Sequence, residues 1–169
     1  MAKSKVVRVP QSAWYEDTEF AIELPSSWDV AICRMRGHDR PPLTQAEIRD
    51  AFCRPIGSPT IRELAKGKKE VVILFDDLTR PTPVADLVPY VLEELEAAGI
   101  PDEHVRFIVA LGAHRALTRI DFIKKLGEAV LDRFPVYNHN PYENCTFIGE
   151  TSRGTRVSIN SEVMGCDLK

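Results

Sequence analysis

Apolar residues occur along the chain in short runs separated by polar segments, a spacing typical of alternating strands and helices. The strongest run is VVILF (Val71–Phe75), which predicts a central parallel strand covered on both faces. A second strand is predicted at residues 104–110, and a helix at residues 84–98 connects the two, with Pro89 either kinking it or marking its first turn. We expect these segments to form a βαβ unit, whose two strands run parallel.

Shorter elements are predicted on both sides of this unit. Strands are expected at residues 5–9, 20–24, 29–33 and 135–139, and a two-stranded hairpin at residues 145–160. Helices are expected after Thr44, after Ser58 as N-cap and after Thr118. Thr118 and Asp121 can cap the last of these helices together. No clear helix is predicted at the end of the chain. The pattern predicts an α/β fold with a mainly parallel, Rossmann-like or flavodoxin-like layered sheet and helices on both faces.

Composition narrows the class of protein. The 169 residues suit one domain, and the abrupt end of the sequence leads us to expect that it is part of a longer protein. Hydrophobic and charged contents of 44% and 28% are those of a soluble globular protein, and a net charge of −3 argues against nucleic-acid binding. No membrane-length apolar run or signal peptide is evident, and four widely spaced cysteines favour a reducing cytoplasm.

Two polar segments follow the two central strands. The first, DDLTRPTP (residues 76–83), is called the Asp loop, and the second, LGAHRALT (residues 111–118), is called the His loop. Since parallel strands end at the same edge of a sheet, we expect both loops to line one crevice, where ligands bind in open α/β sheets. The residues expected to converge there are Asp76, Asp77, Thr79, Arg80, His114 and Arg115.

Each of these side chains has a restricted chemistry. Arg80 and Arg115 offer donor forks for a carboxylate or phosphate, and His114 can take and give a proton near neutral pH. Asp77 can orient either group or accept from a sugar hydroxyl, and Thr79 can donate to a phosphate or cap a turn. The residues alone therefore predict an anion-binding crevice with one titratable histidine. A purely structural interpretation stays open, with the aspartates as turn formers and Arg80 as an ion-pair partner.

The combination of motifs resembles the N-terminal domain of the lactate racemase family. DDLTRPTP, ALGAHR, LPSSWDV and GETSRGTRVSIN all contribute, so the similarity covers most of the chain. The resemblance implies racemisation of a 2-hydroxy acid with a nickel-pincer nucleotide, in which a histidine moves the hydroxyl proton and the cofactor takes the hydride. It implies catalytic roles for His114, as one of two proton-transfer histidines, for Arg80 near the substrate carboxylate and for Asp77 as an acidic residue of the same site. Cofactor-binding roles would fall to Thr79 and Arg115 and, in the TSRGT segment, to Ser152 and Arg153.

The resemblance also has consequences for what lies outside this sequence. The family's cofactor-anchoring lysine, a histidine that precedes it and a further, nickel-binding histidine are all expected after Lys169, in a longer two-domain enzyme. No metal ligand is therefore assigned here. GAHR replaces the commoner GTHR, which removes a hydroxyl beside His114. Expected partners are a small 2-hydroxy carboxylate, the C-terminal domain and a possible second copy. Two other interpretations stay open for this chain: a non-catalytic module that binds an anionic nucleotide or hydroxy acid, and a cofactor carrier.

Overall fold

The computed structural model describes residues 5–11, 14, 18–38 and 40–169. Backbone contacts divide the chain into two compact units, residues 1–44 and residues 45–169. The first unit contains the two predicted strands, β1 (Lys5–Pro10) and β2 (Glu19–Leu24), which pair in an antiparallel manner. The predicted strand at residues 29–33 is wrong. This largely exposed segment has irregular backbone, because no strand among the described residues pairs with it. One domain over residues 1–169 stays a prediction.

The second unit alternates strands and helices in the predicted order. Its elements are α1 (Gln45–Cys53), α2 (Ile61–Ala65), β3 (Val71–Phe75), α3 (Val84–Ala97), a 3₁₀ turn (Asp102–His104), β4 (Val105–Val109), α4 (Arg119–Leu126), α5 (Glu128–Arg133), β5 (Val136–Asn138), β6 (Cys145–Glu150), β7 (Arg156–Asn160) and α6 (Ser161–Gly165). β6 and β7 form the predicted hairpin. Within the described residues, no helix combines the length and apolar character needed to cross a bilayer.

β3, β4 and β5 form a three-stranded parallel sheet in that order. Phe75, the last residue of β3, lies opposite Val109, the last residue of β4, and the backbone N–H of Ala110 donates to Phe75 O at 2.8 Å. The α/β fold with parallel strands is therefore confirmed. Because the two strands end in register, the Asp loop and the segment leading to the His loop leave the sheet at the same edge.

Other elements pack on both faces of the sheet, which explains the unbroken apolar run of β3 and the apolar residues Phe107–Val109 of β4. On one face, four phenylalanine rings pack in a row in the order Phe122, Phe75, Phe107 and Phe134. The centroids of successive rings are 6.1, 6.5 and 5.5 Å apart. The apolar stripe of α3 packs on this face through Val88 and Leu95. On the other face, Val72 and Ile108 pack against Val163 of α6. Each fully buried side chain contributes roughly 1.5–3 kcal/mol to folding.

Some local predictions need correction. The N-cap of α2 is Thr60 rather than Ser58, because Thr60 and Glu63 form a reciprocal capping box, whereas the Ser58 hydroxyl donates to Pro59 O. Pro89 lies inside α3 rather than at its first turn. The helices α5 and α6 were not predicted; each is only about one or two turns long, too short for a periodic apolar pattern to show.

Candidate active site

An aspartate–histidine pair joins the two loops at the carboxyl ends of β3 and β4. His114 Nδ1 lies 2.5 Å from Asp77 Oδ2. Asp77 is nearly buried, with 6% of its surface exposed, whereas 59% of the His114 side chain is exposed. The pair thus places an accessible imidazole above a carboxylate held inside the protein, at the edge where ligands bind in open α/β sheets.

The Asp loop folds around Asp77 itself. The backbone N–H and hydroxyl of Thr79 donate to Asp77 Oδ1 at 3.0 and 2.5 Å, and Arg80 N donates to Asp77 O at 3.2 Å. This is a turn in which an aspartate side chain replaces a backbone acceptor. Burial pushes the pKa of Asp77 upward, but the hydrogen bonds from Thr79 and His114 outweigh it, and the net pKa is lowered. Asp77 is therefore ionised at neutral pH.

The ionised carboxylate fixes the chemical form of the imidazole. A carboxylate without a proton only accepts hydrogen bonds, so His114 Nδ1 must carry the proton of the 2.5 Å contact. The other ring nitrogen, Nε2, then bears the lone pair and faces away from Asp77. A carboxylate in this position fixes the orientation of the ring and stabilises the positive charge that forms when Nε2 accepts a proton.

Arg80 follows Asp77 by three residues in the Asp loop, and its side chain is available to a ligand. The residue is exposed, and its side chain makes no hydrogen bond or ion pair with any residue that the structure describes. The structural interpretation of Arg80 as an ion-pair partner is therefore wrong within the described chain. Its backbone is fixed on both sides: the N–H of Arg80 donates to Asp77 O, and the carbonyl of Arg80 accepts a hydrogen bond from Lys125 Nζ. Such a fork is suited to bind a carboxylate in a bidentate manner.

Other predicted site residues support the loops instead of pointing to a common ligand. Arg115 is exposed, and its guanidinium donates to Asp121 Oδ2 at 3.0 Å. Thr79 is engaged by Asp77. Ser152 and Arg153 lie exposed in the β6–β7 turn, and among the described residues no hydrogen bond links them to the Asp loop or the His loop. Their role in cofactor binding stays a prediction.

Two residues that sequence reasoning missed hold the loops in place. Lys125 of α4 is completely buried and contacts Asp76 Oδ1 at 2.8 Å as well as two carbonyls of the Asp loop. Asn138, at the end of β5, exchanges two hydrogen bonds with the backbone of Leu117, at 2.8 and 2.9 Å. The signal for Lys125 was present: it lies three residues after Phe122, on the apolar face of the helix.

Asp121 fixes the start of α4 and gives a pH-dependent prediction. The guanidinium of Arg115, followed by the N–H of Thr118, lowers the pKa of Asp121 to about 2 from 3.8. A depressed folded-state pKa adds stability that is fully present above the unfolded-state value and is lost as pH falls from about 4 towards 2. We expect Asp121→Asn to lower the free energy of unfolding by about 1 kcal/mol at pH 7. Denaturant titrations at pH 7 and pH 2.5 should show this difference shrinking.

The control for that experiment is Asp132→Asn, an exposed aspartate at the end of α5 that contacts Arg119 at 3.3 Å. Its substitution should change the free energy of unfolding little at either pH, because exposed ion pairs contribute little. An Asp121→Asn difference that stays the same at pH 2.5 would contradict the assigned role of the carboxylate charge.

Comparison with known proteins identifies similar sequences. The family model described as the lactate racemase N-terminal domain matches residues 15–169. The lactate racemase of Thermoanaerobacterium thermosaccharolyticum is 30% identical over 158 residues, which cover 91% of this chain and 37% of that protein. The lactate racemase of Lactiplantibacillus plantarum is 32% identical over 126 residues, covering 73% of this chain and 30% of that protein.

A solved structure is also similar. The lactate racemase apoprotein from T. thermosaccharolyticum superimposes with a TM-score of 0.72 at 27% identity, covering 97% of this chain and 38% of that one. This chain thus spans about a third of the length of the curated relatives that it matches.

Proposed function

Because this chain belongs to the lactate racemase N-terminal domain family, we propose that it supplies the proton-transfer and carboxylate-binding groups of a 2-hydroxy acid racemase. The observation that carries the proposal is the 2.5 Å contact between His114 Nδ1 and the buried Asp77 carboxylate, at the ends of two parallel strands. A histidine can remove a hydroxyl proton only through a ring nitrogen that has a lone pair. The contact with Asp77 meets this requirement, because it keeps the ring proton on Nδ1 and leaves Nε2 free.

In this proposal, His114 Nε2 accepts the proton of the substrate hydroxyl, and Asp77 stabilises the resulting imidazolium. A proton returns to the oxygen of the planar keto acid from His114 or from the second proton-transfer histidine that the family resemblance implies, and either stereoisomer forms. Arg80 binds the substrate carboxylate with its exposed guanidinium and so holds the hydroxyl close to the imidazole. The role of this chain is therefore to bind, orient and exchange a proton.

The residues of this chain fit the substrate better than they fit the nickel-pincer nucleotide that the family resemblance implies. Among the described residues there is no group of three or more His, Cys, Asp and Glu side chains that could hold a metal ion. Thr79 and Arg115 are engaged by Asp77 and Asp121. When bound, the nucleotide would accept and return the hydride of the substrate; we propose that residues outside this chain, in the C-terminal domain, anchor it.

The experiment that tests the proposal is a stereochemical assay of the full-length protein with its cofactor supplied. Each pure enantiomer of lactate and of other short 2-hydroxy acids would be incubated, and the opposite enantiomer measured with an enantiomer-specific dehydrogenase. We expect conversion in both directions to the same equilibrium mixture. Binding of a hydroxy acid without any conversion would contradict the proposal and favour a binding module instead.

Arg80→Ala tests the substrate-binding role in the same assay. We expect KM for the 2-hydroxy acid to rise by about tenfold or more while kcat falls less, because a bidentate carboxylate contact is lost. The matched control is Arg119→Ala, an equally exposed arginine on α4 whose partners are Glu128 and Asp132. A KM for Arg80→Ala that equals that of the control would refute the role of Arg80.

A further inference from the structure

We propose that Lys125 is a positioning residue that holds the Asp loop in the conformation that binds substrate, an inference that rests on the proposed function. Lys125 lies on α4, and none of its surface is exposed to solvent. Its neighbours on the helix, Phe122 and Leu126, are buried in the core. A fully buried ammonium is costly unless its contacts are maintained, so its surroundings must stay in place around it.

Three contacts of Lys125 lie on the Asp loop. Lys125 Nζ donates to Arg80 O at 3.0 Å and to Thr82 O at 3.1 Å. Asp76 Oδ1 is buried 2.8 Å from the same nitrogen, in an ion pair and not a well-directed hydrogen bond. The other oxygen of Asp76 accepts from the Thr82 hydroxyl at 2.7 Å. An ammonium has three protons, and three oxygens of one loop surround this one.

These contacts lie on both sides of Asp77. Asp76 directly precedes it, and the Arg80 carbonyl follows the turn that Asp77 forms with Thr79. The loop is therefore fixed before and after the carboxylate that orients His114, and the backbone of Arg80 is fixed as well. A displacement of about 1 Å in a site of this kind can lower activity by about 10²-fold.

The helix that carries Lys125 also begins at the His loop. Thr118 is the N-cap of α4, and it forms a reciprocal capping box with Asp121. The first turn of the helix is thus tied to the His loop, and Lys125, near its last turn, is tied to the Asp loop. α4 therefore sets the position of both loops, and Lys125 makes the connection to the Asp loop.

The test compares Lys125→Met with Lys124→Met in the full-length protein. Lys124 is the adjacent, exposed residue of α4, so this control removes the same charge from the same helix. For Lys125→Met, we expect hydrogen exchange of the Thr79 and Arg80 amides to accelerate by about tenfold or more while β3 amides stay protected. We also expect KM to rise by about tenfold or more per folded enzyme.

A merely structural role would reduce the amount of folded protein without changing KM or the loop amides, so these two measurements separate the possibilities. Exchange and KM equal to those of the Lys124→Met control would overturn the inference, and so would faster exchange with unchanged kinetics. If Lys125→Met does not fold, the double variant Asp76→Asn/Lys125→Met, which leaves no unpaired buried charge, is measured against Lys124→Met with the same two outcomes.

Wild type and His114→Ala are assayed in parallel, so that a failure of the proposed racemase function can be distinguished from a failure of the positioning role of Lys125. A wild type that does not racemise any hydroxy acid refutes the proposed function, and the exchange data alone then decide whether Lys125 fixes the Asp loop. An active wild type that loses activity on His114→Ala, combined with a Lys125→Met protein that behaves like the control, refutes only the positioning role.

Discussion

Replacing His114 with alanine in the full-length protein is expected to lower kcat for racemisation by about 10²- to 10⁴-fold, the usual contribution of a proton-transfer group. KM is expected to change by less than about threefold, because the carboxylate contact of Arg80 is retained. The measurement is initial-rate kinetics in both directions of the reaction. kcat/KM must fall by the same factor in both directions, because the two enantiomers have equal free energy and a variant cannot change the equilibrium constant.

His104→Ala provides the matched control for this variant. His104 precedes β4, at the opposite end of the strand from the His loop, and its Nδ1 also contacts a carboxylate, Glu70, at 2.7 Å. The two histidines thus share a chemical environment but lie at opposite edges of the sheet. Activity of His114→Ala within a few-fold of the wild type, or an equal loss in His104→Ala, would contradict the assignment.

Exposure of the imidazole allows a second measurement on the same variant. Because 59% of the His114 side chain is exposed, the space left by alanine is open to solvent. Added imidazole is therefore expected to restore part of kcat in His114→Ala, and not in His104→Ala. Recovery of activity would show that an imidazole base, and not the shape of the His loop, was lost.

Asp77→Asn is expected to lower kcat by about 10²-fold or more, with a smaller change in KM. The amide oxygen can still accept from Thr79, so the turn of the Asp loop is kept. The amide nitrogen, however, then faces His114 Nδ1 and donates to it. That contact forces the imidazole proton onto Nε2. Nε2 then has no lone pair with which to accept the proton of the substrate hydroxyl.

The control for Asp77→Asn is Glu70→Gln, which changes the carboxylate that contacts His104 and Arg106 into an amide. Kinetics normalised to folded protein are the measurement, together with the NMR signals of the His114 ring nitrogens. We expect the Nδ1 and Nε2 signals of His114 to indicate a change of tautomer in Asp77→Asn only. Unchanged ring-nitrogen signals with full activity would show that Asp77 does not orient the histidine.

The sequence was sufficient to predict the residues that directly follow the two central strands. VVILF and the following apolar strand identified β3 and β4, and their parallel pairing was enough to bring Asp77 and His114 to one edge. The sequence could not assign Asp76, because its two oxygens are bound by Thr82 and by Lys125, which lies far along the chain on α4. A buried ion pair of this kind depends on tertiary packing, which local patterns do not contain.

Three further differences between prediction and structure concern the N-cap of α2, the segment at residues 29–33 and the β6–β7 turn. Ser58 and Thr60 both have N-cap side chains, and only the distance to Glu63 decides between them. The apolar residues at 29–33 have strand-like composition but no neighbouring strand to supply backbone partners. The β6–β7 turn that contains Ser152 and Arg153 was located correctly, whereas its assignment to the site came only from the family resemblance, and the described contacts of the turn are with itself.

The burial of Asp77 beneath an accessible imidazole has an energetic consequence for the proposed reaction. The free energy needed to desolvate the carboxylate is spent once, when the polypeptide folds, and Thr79 compensates for much of it. Water therefore does not have to reorient around the Asp77 carboxylate while positive charge forms on the His114 ring. The dipoles that stabilise the charged state are already aligned in the resting protein, which is how a preorganised environment lowers a barrier relative to the same reaction in water.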